Sequence, residues 1–324
     1  MKNLLVFTTL LALISGSGVA QNDRWFKGNT HAHTNRSDGN EWPRRVVHWY
    51  LDHEYNFLVV TDHNWLTDIT YLDTDKADDF VVIPGEEVTE YFGKKPAHLC
   101  AINVKHVVEP RGGSSVADIL ERNAAAIRQA GGLVQVNHPN WRWGFGSSEM
   151  VNLDSPLLLE VYNVNKENNN FPAGGKPGTE EIWDRLLTAG LRVFGVASDD
   201  THDYLGDITG DQAGPGKGWV MVRADELSAA AITVSLSAGD FYASTGVELK
   251  DVRILDGAYA LEIAPRNDAA YTTLFIGREG KVLKEEHGLQ PRYAFNGNEL
   301  YVRAKVLCSS GDIALTQPYF PPKK

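Results

Sequence analysis

Apolar residues along this chain fall into two regimes, and the change between them lies near position 246. Before it, strand candidates recur at 27–30, 57–61, 81–84, 97–104, 133–137, 157–162 and 192–197, and all but the first are short runs rich in Val, Ile, Leu and other apolar residues. Runs of this kind read as strands buried on both faces, the pattern of a parallel sheet. Stretches with helical spacing lie between some of them, at 43–54, 115–130 and 179–189. Pro43 suits a first helical turn, and Gly131, Gly132 and Gly190 stop the two later helices. Alternating strands and helices predict an α/β arrangement around a parallel sheet. The stretch 163–178, rich in Asn, Gly and Pro, reads as a surface loop.

After a helix expected at 225–238 and the segment 241–246, helical periodicity disappears. Short alternating runs replace it, such as Val252-Arg-Ile254 and Tyr301-Val-Arg-Ala-Lys-Val306, punctuated by Asp256-Gly257, Gly277, Gly280 and Gly297. These predict antiparallel strands in a small β-sandwich-like domain over 247–324, packed on a larger domain over 21–246.

The extreme N-terminus belongs to neither regime. Met1-Lys2 is a short basic start, Leu4 to Ile14 is apolar, and Gly18 and Ala20 precede Gln21 at the spacing of a cleavage site. Residues 1–20 are therefore expected to be a signal peptide, which makes the protein exported, periplasmic or secreted. The apolar stretch is shorter than the roughly 20 residues a spanning helix needs. No membrane span is expected elsewhere.

The formal net charge is −11 across 324 residues, without basic clusters, which disfavours a nucleic-acid partner. The two cysteines, Cys100 and Cys308, lack metal-site spacing and read as separate buried thiols.

Candidate chemistry lies at the ends of the predicted strands. His31 and His33 follow the first, with Asp38 in a Ser-Asp-Gly turn just beyond; His63 follows the second, Glu86-Glu87 the third and His138 the fifth. Asp199 to His202 follow the seventh. His98 stands apart, near the start of its strand. In closed (β/α) barrels the reactive groups gather on the face formed by strand C-termini. The candidate ligands are thus His31, His33, Asp38, His63, Glu87, His98, His138, Asp200 and His202, all nitrogen or oxygen donors. Such donors suit Zn²⁺, Mn²⁺ or Fe²⁺, and they exceed the need of one ion, so two or three divalent ions are expected. His48, His53, His106 and His287 lack acidic company and are left out.

Five segments together carry a family likeness: Gly28-Asn-Thr-His-Ala-His33 with Ser37-Asp-Gly39, Thr61-Asp-His-Asn64, Pro84-Gly-Glu-Glu-Val-Thr89, Asn137-His-Pro139 and Ser198-Asp-Asp-Thr-His202. In order and spacing they resemble the PHP (polymerase and histidinol phosphatase) superfamily of metal-dependent phosphoesterases, over roughly 26–246. Within it the chain looks most like the secreted CehA/McbA-like metallohydrolase branch. The resemblance implies a distorted, TIM-like (β/α)7 barrel with a trinuclear site. His31, His33, Glu87 and Asp200 would hold one ion, Glu87 would bridge to a second completed by His98 and His138, and Asp38, His63 and His202 would hold the third. It selects Glu87 over Glu86 and Asp200 over Asp199, and it leaves Asp62 and Asp199 as orienting groups.

The implied reaction is hydrolysis of a small organic phosphate ester by metal-activated hydroxide, with Glu87, Asp200 and His202 at the reacting centre. No Gly-x-Ser-x-Gly elbow or P-loop points to a covalent route. Arg36, Arg142 and Lys166 are the cations placed to meet a small phosphorylated substrate. Trp65, Trp141 and Trp143 are candidate aromatic walls, and Glu160 and Asn163 candidate pocket residues. Two other readings stand beside this one. The same activated water would cleave a carboxylic or carbamate ester or an amide, and a vestigial site would leave a metal- or glycan-binding protein.

Overall fold

The computed structural model describes residues 24–72, 79–204 and 214–322; the expected signal peptide lies outside them. Its first half runs β1 (Arg24–Asn29), α1 (Pro43–Asp52), β2 (Phe57–Val60), β3 (Val81–Phe92), β4 (Lys95–Ile102), α2 (Val116–Gln129) and β5 (Leu133–Val136). It continues with α3 (Ser147–Met150), β6 (Leu157–Asn163), α4 (Thr179–Thr188), β7 (Val193–Ser198), β8 (Trp219–Ala224), α5 (Ala229–Ala238) and β9 (Phe241–Ser244). The expected helices form because their apolar residues recur every three or four positions. In α2, Val116, Ile119, Leu120, Ala124 and Ile127 make one buried face, and the Ser115 hydroxyl caps the start by accepting from the Asp118 N–H. The helix expected from 225 begins only at Ala229, where the Ser228 hydroxyl caps it.

Two features differ from an all-parallel barrel. First, β3 does not stop at Pro84; it runs to Phe92 and turns directly into β4, which pairs antiparallel with both β3 and β5. β1/β2, β2/β3, β5/β6 and β6/β7 are parallel. This reversal explains His98. An antiparallel strand begins at the end where its parallel neighbours finish, so His98, opposite Thr89 across the ladder, lies on the same face as the other candidate ligands.

Second, the barrel is not closed. The second edge of β1 is taken by β8, antiparallel over Arg24–Gly28, so β7 cannot pair along β1. The two meet only beyond their ends: Ala32 bridges Thr201, the His33 N–H donates to the Thr201 carbonyl at 3.0 Å, and the Asp200 N–H donates to the His31 carbonyl at 3.0 Å. The gap is thus pinned at the candidate site.

The remaining strands are β10 (Leu249–Leu255), β11 (Ala258–Ile263), β12 (Tyr271–Gly277), β13 (Lys281–His287), β14 (Arg292–Ala294), β15 (Arg303–Cys308) and β16 (Ile313–Thr316). They divide between the main sheet and a second one. β16 pairs with β9, so β13-β12-β15-β16 extend the main sheet to thirteen strands among the described residues, while β10-β11-β14 form a small second sheet. The two face each other across Leu249, Tyr259, Leu261, Phe275, Val302 and Val306, a sandwich-like core continuous with β9 through Tyr242. One buried polar cluster ties this region to the first half. The Arg303 guanidinium, 1% exposed, binds Asp184 of α4 through Nε at 2.9 Å and Nη2 at 2.7 Å, and reaches Glu180 at 3.3 Å. Cys100 and Cys308 are free and buried. No described helix is long and apolar enough to cross a membrane.

Candidate metal centre

All nine candidate ligands converge on one end of the sheet, and Glu87 stands at their centre. Strand alternation decides which of the adjacent glutamates faces the site. Glu87 and Thr89 share one face of β3, whereas Glu86 points away and accepts from the Val108 N–H at 3.0 Å. Burial pushes Glu86 up to about 7.

The two carboxylate oxygens of Glu87 face different groups. Oε1 lies 3.2 Å from His98 Nδ1 and 3.3 Å from His138 Nε2, and accepts from Asn137 Nδ2 at 2.7 Å. Oε2 lies 3.4 Å from both His31 Nε2 and His33 Nε2. It is buried and lies 2.9 Å from His63 Nδ1. A buried ionised oxygen needs a positive partner beside it, either protonated His63 or a bound cation.

Around that oxygen the donor set has the dimensions of a metal shell. His31 Nε2 and His33 Nε2 are 3.0 Å apart, and Asp200 Oδ1 is 3.3 Å from the first and 3.2 Å from the second. Bonds of 2.0–2.1 Å to one ion imply donor–donor separations of about 3.0–3.4 Å, from octahedral to tetrahedral. A second cluster lies on the outer side of His33. Asp38 Oδ2 is 3.5 Å from His63 Nε2, and Asp38 Oδ1 is 3.3 Å from His202 Nε2 and 3.6 Å from His33 Nδ1. Clustered His, Asp and Glu side chains of this kind are suited to divalent metal ions.

Electrostatics keeps the carboxylates ionised. Burial opposes charge on Glu87, but His31, His63 and His98 hold it well below the usual range. Burial likewise works against protonated His63 and His202, yet neighbouring carboxylates outweigh it and lift them to about 10 and about 9. His33, buried and beside His202, falls to about 4. The sign of the consequence follows. His63 and His202 are raised above their unfolded value, so in the metal-free protein their stabilisation is complete below pH 6.5 and lost as pH rises through 9 to 10. Metal binding requires the neutral imidazole and is favoured over the same interval. The melting temperature of metal-loaded protein minus that of chelator-treated protein should therefore widen from pH 6.5 to 9. A constant difference across that range would contradict the assignment.

The supporting residues differ in part from expectation. Asp62 is linked to a histidine through Ser37, whose hydroxyl lies 3.4 Å from His33 Nδ1. It accepts from the Thr34 N–H and hydroxyl, both at 2.8 Å, from Ser37 at 2.9 Å and from Thr67 at 2.6 Å, which pins the turn carrying Asp38. Asp199 points away from the cluster and accepts from Asn29, Tyr50 and the N–H groups of Gly216, Lys217 and Gly218. Thr89 Oγ1 lies 2.5 Å from His63 Nδ1, and neither it nor the Asn137 bond to Glu87 was expected from sequence. Glu160 does not line the pocket; it is buried behind His31.

A cavity of ≈ 350 Å³ opens above the centre, lined by His63, Glu87, His98, His138, Asp200 and His202 and walled by Tyr91, Trp141, Asn165, Glu167, Asn168 and Asp203. The wall from Asn165 to Asn168 comes from the expected surface loop. None of the three expected substrate cations lines it. Arg36 lies 3.4 Å from the Tyr71 hydroxyl, Arg142 stacks over Trp141 at 4.6 Å, and Lys166 sits in the turn Lys166–Asn168. Of the three tryptophans, only Trp141 faces the cavity.

No protein-family model matches the sequence, and no curated protein is similar to it. Among solved structures, a two-domain protein from Bacteroides vulgatus containing a predicted PHP-like metal-dependent phosphoesterase is similar over 92% of this chain and 95% of its own, at 16% identity and a TM-score of 0.52. At that identity the likeness is one of fold. Two more distant structures cover 58% of this chain each. A protein from Bifidobacterium adolescentis assigned to the metal-dependent phosphoesterases matches at 15% identity and a TM-score of 0.38, over 92% of its length. An amidohydrolase from Chromobacterium violaceum with bound sulfate and no metal matches at 13% and 0.39, over 89%.

Proposed function

We propose that this chain is an exported metal-dependent hydrolase that cleaves a small organic phosphate ester at a centre of two or three divalent ions. The observation that carries the reading is Glu87, a buried carboxylate whose two oxygens face separate sets of imidazoles. The sequence resemblance to the PHP superfamily and the N-terminal pattern support it.

His31, His33, Glu87 and Asp200 would hold one ion, Glu87, His98 and His138 a second, and Asp38, His63 and His202 a third. The ions would supply Lewis-acid activation of water and neutralise charge on the scissile group. The protein's contribution is spatial. Asn137 fixes the plane of the Glu87 carboxylate, the Asp62 bonds hold Asp38 in place, and Tyr91 and Trp141 shape the space for the leaving group. Glu87, Asp200 and His202 border the cavity where the ester would lie.

One observation favours a second reading. No Arg or Lys lines the cavity among the described residues, so among these residues the ions and the imidazoles would offset charge on a phosphate. A carboxylic or carbamate ester, or an amide, needs less neutralisation at the same centre. The decisive experiment pairs elemental analysis with hydrolysis of p-nitrophenyl phosphate, bis-p-nitrophenyl phosphate and p-nitrophenyl acetate in Mn²⁺, Zn²⁺ or Fe²⁺. Metal-dependent release from the phosphates, abolished by chelation and restored by metal, is expected. Release from the acetate alone would move the assignment to the second reading.

A further inference from the structure

Glu160 is 1% exposed, and all of its hydrogen-bonding capacity is spent on the back of the metal centre. Oε1 lies 2.6 Å from His31 Nδ1 and accepts from the Ser198 hydroxyl at 2.5 Å. Oε2 accepts from the His138 backbone N–H at 2.9 Å and from Asn163 Nδ2 at 3.0 Å. The same Asn163 nitrogen lies 3.0 Å from Asp200 Oδ2. One carboxylate on β6 thus reaches three candidate ligands on three other elements. Two of those, His138 (φ 21°) and Asp200 (φ 49°), hold backbone conformations that non-glycine residues rarely adopt. Such conformations persist only where the surroundings enforce them.

We propose that Glu160 is a positioning residue, which fixes His31 with its proton on Nδ1 and its Nε2 facing the metal, and ties His138 and Asp200 to the same carboxylate. The inference rests on the metal-site reading above. The physical reason is donor count. Four donors point at Glu160, and a carboxylate accepts all four, whereas an amide accepts at one atom and confronts the other donors with its own N–H groups. A histidine held by a carboxylate at one ring nitrogen presents the other as a more basic and correctly aimed ligand. Glu160 touches no reacting atom; its action is through His31, His138 and Asp200.

Two measurements test this. In ¹⁵N-labelled wild-type protein loaded with Zn²⁺, His31 should show a protonated Nδ1 with a strongly downfield proton, and an unprotonated Nε2. In Glu160→Gln that proton should move upfield, because an amide oxygen is the weaker acceptor. Zn²⁺ affinity, read by chelator competition, should fall about 10–100-fold. Ser198→Ala, which removes one donor from Glu160 but leaves the bond to His31, should stay within about twofold. An unprotonated Nδ1 in the wild type, or wild-type affinity in a folded Glu160→Gln, overturns the proposal. Should the variant fail to fold, the wild-type His31 signal alone decides it. A wild-type chain that takes up no ion refutes the metal reading instead, and the downfield Nδ1 proton of His31 in the metal-free protein, present in wild type and moved upfield in Glu160→Gln, still decides the role of Glu160.

Discussion

Glu87→Gln should abolish most metal-dependent hydrolysis while leaving the fold intact, and should lower bound metal by at least one ion per chain. Size and shape are conserved, so packing around β3 is undisturbed. What changes is that one acceptor becomes a donor. The remaining amide oxygen is held on the Oε1 side by Asn137 Nδ2, which needs an acceptor at 2.7 Å. The new N–H₂ then stands where Oε2 faced His31 and His33 at 3.4 Å, and it has no lone pair for a cation. Residues that only support metal ligands cost about 10–100-fold when altered, so removal of a donor shared by two clusters should exceed about 100-fold in kcat/KM. Elemental analysis and steady-state kinetics on the same preparation provide the check. Full activity at unchanged metal stoichiometry would refute a centre built around Glu87.

Arg303→Ala should destabilise the fold by about 3–5 kcal/mol. Arg303 binds Asp184 bidentately, reaches Glu180 and lies 4.6 Å over the ring of Trp183. Truncation leaves the buried Asp184 carboxylate with the Tyr301 hydroxyl at 2.9 Å as its remaining donor from β15 and the residues before it. An unpaired buried charge, not the loss of a favourable pair, is the source of the cost. The double variant Arg303→Met, Asp184→Leu should therefore recover much of the loss, since apolar replacement of a buried ion pair is often neutral. Metal stoichiometry should stay unchanged, because this network contacts no candidate ligand. Denaturant melts of the single and double variants read the difference. A loss below about 1 kcal/mol for Arg303→Ala, typical of an exposed pair, would show the network to be solvated.

Much of the centre was legible because its ligand types recur at strand ends. His31, His33, Asp38, His63, Glu87, His138, Asp200 and His202 are brought together, and the strand pattern that located them needed no knowledge of pairing partners. His98 was legible as a residue but not by position. Only the antiparallel turn from β3 into β4 shows why a histidine at a strand's start shares the face of the others. Glu160 was placed in the pocket, whereas it lies behind His31. Asp62 was read as an orienter of histidine; it braces the turn after His33, and its partner Ser37 lies 3.4 Å from His33 Nδ1. The placement of Glu160 depends on which way a side chain points once its strand is paired, and no local pattern encodes that.

By itself the sequence determined the alternation of strands and helices, the acidic character of the chain and the identity of nearly all the residues at the centre. These follow from local periodicity and from residue chemistry, which a linear pattern carries in full. The tertiary structure alone decided that the sheet stays open, because β8 occupies the edge of β1 that β7 would need. It also decided that the C-terminal strands continue the main sheet through β9 and β16, and that Arg36, Arg142 and Lys166 stand outside the cavity. Those outcomes depend on competition among strand edges and on the direction of long side chains. Both are settled by contacts between residues far apart in the chain, where burial and hydrogen-bond satisfaction outweigh local preference.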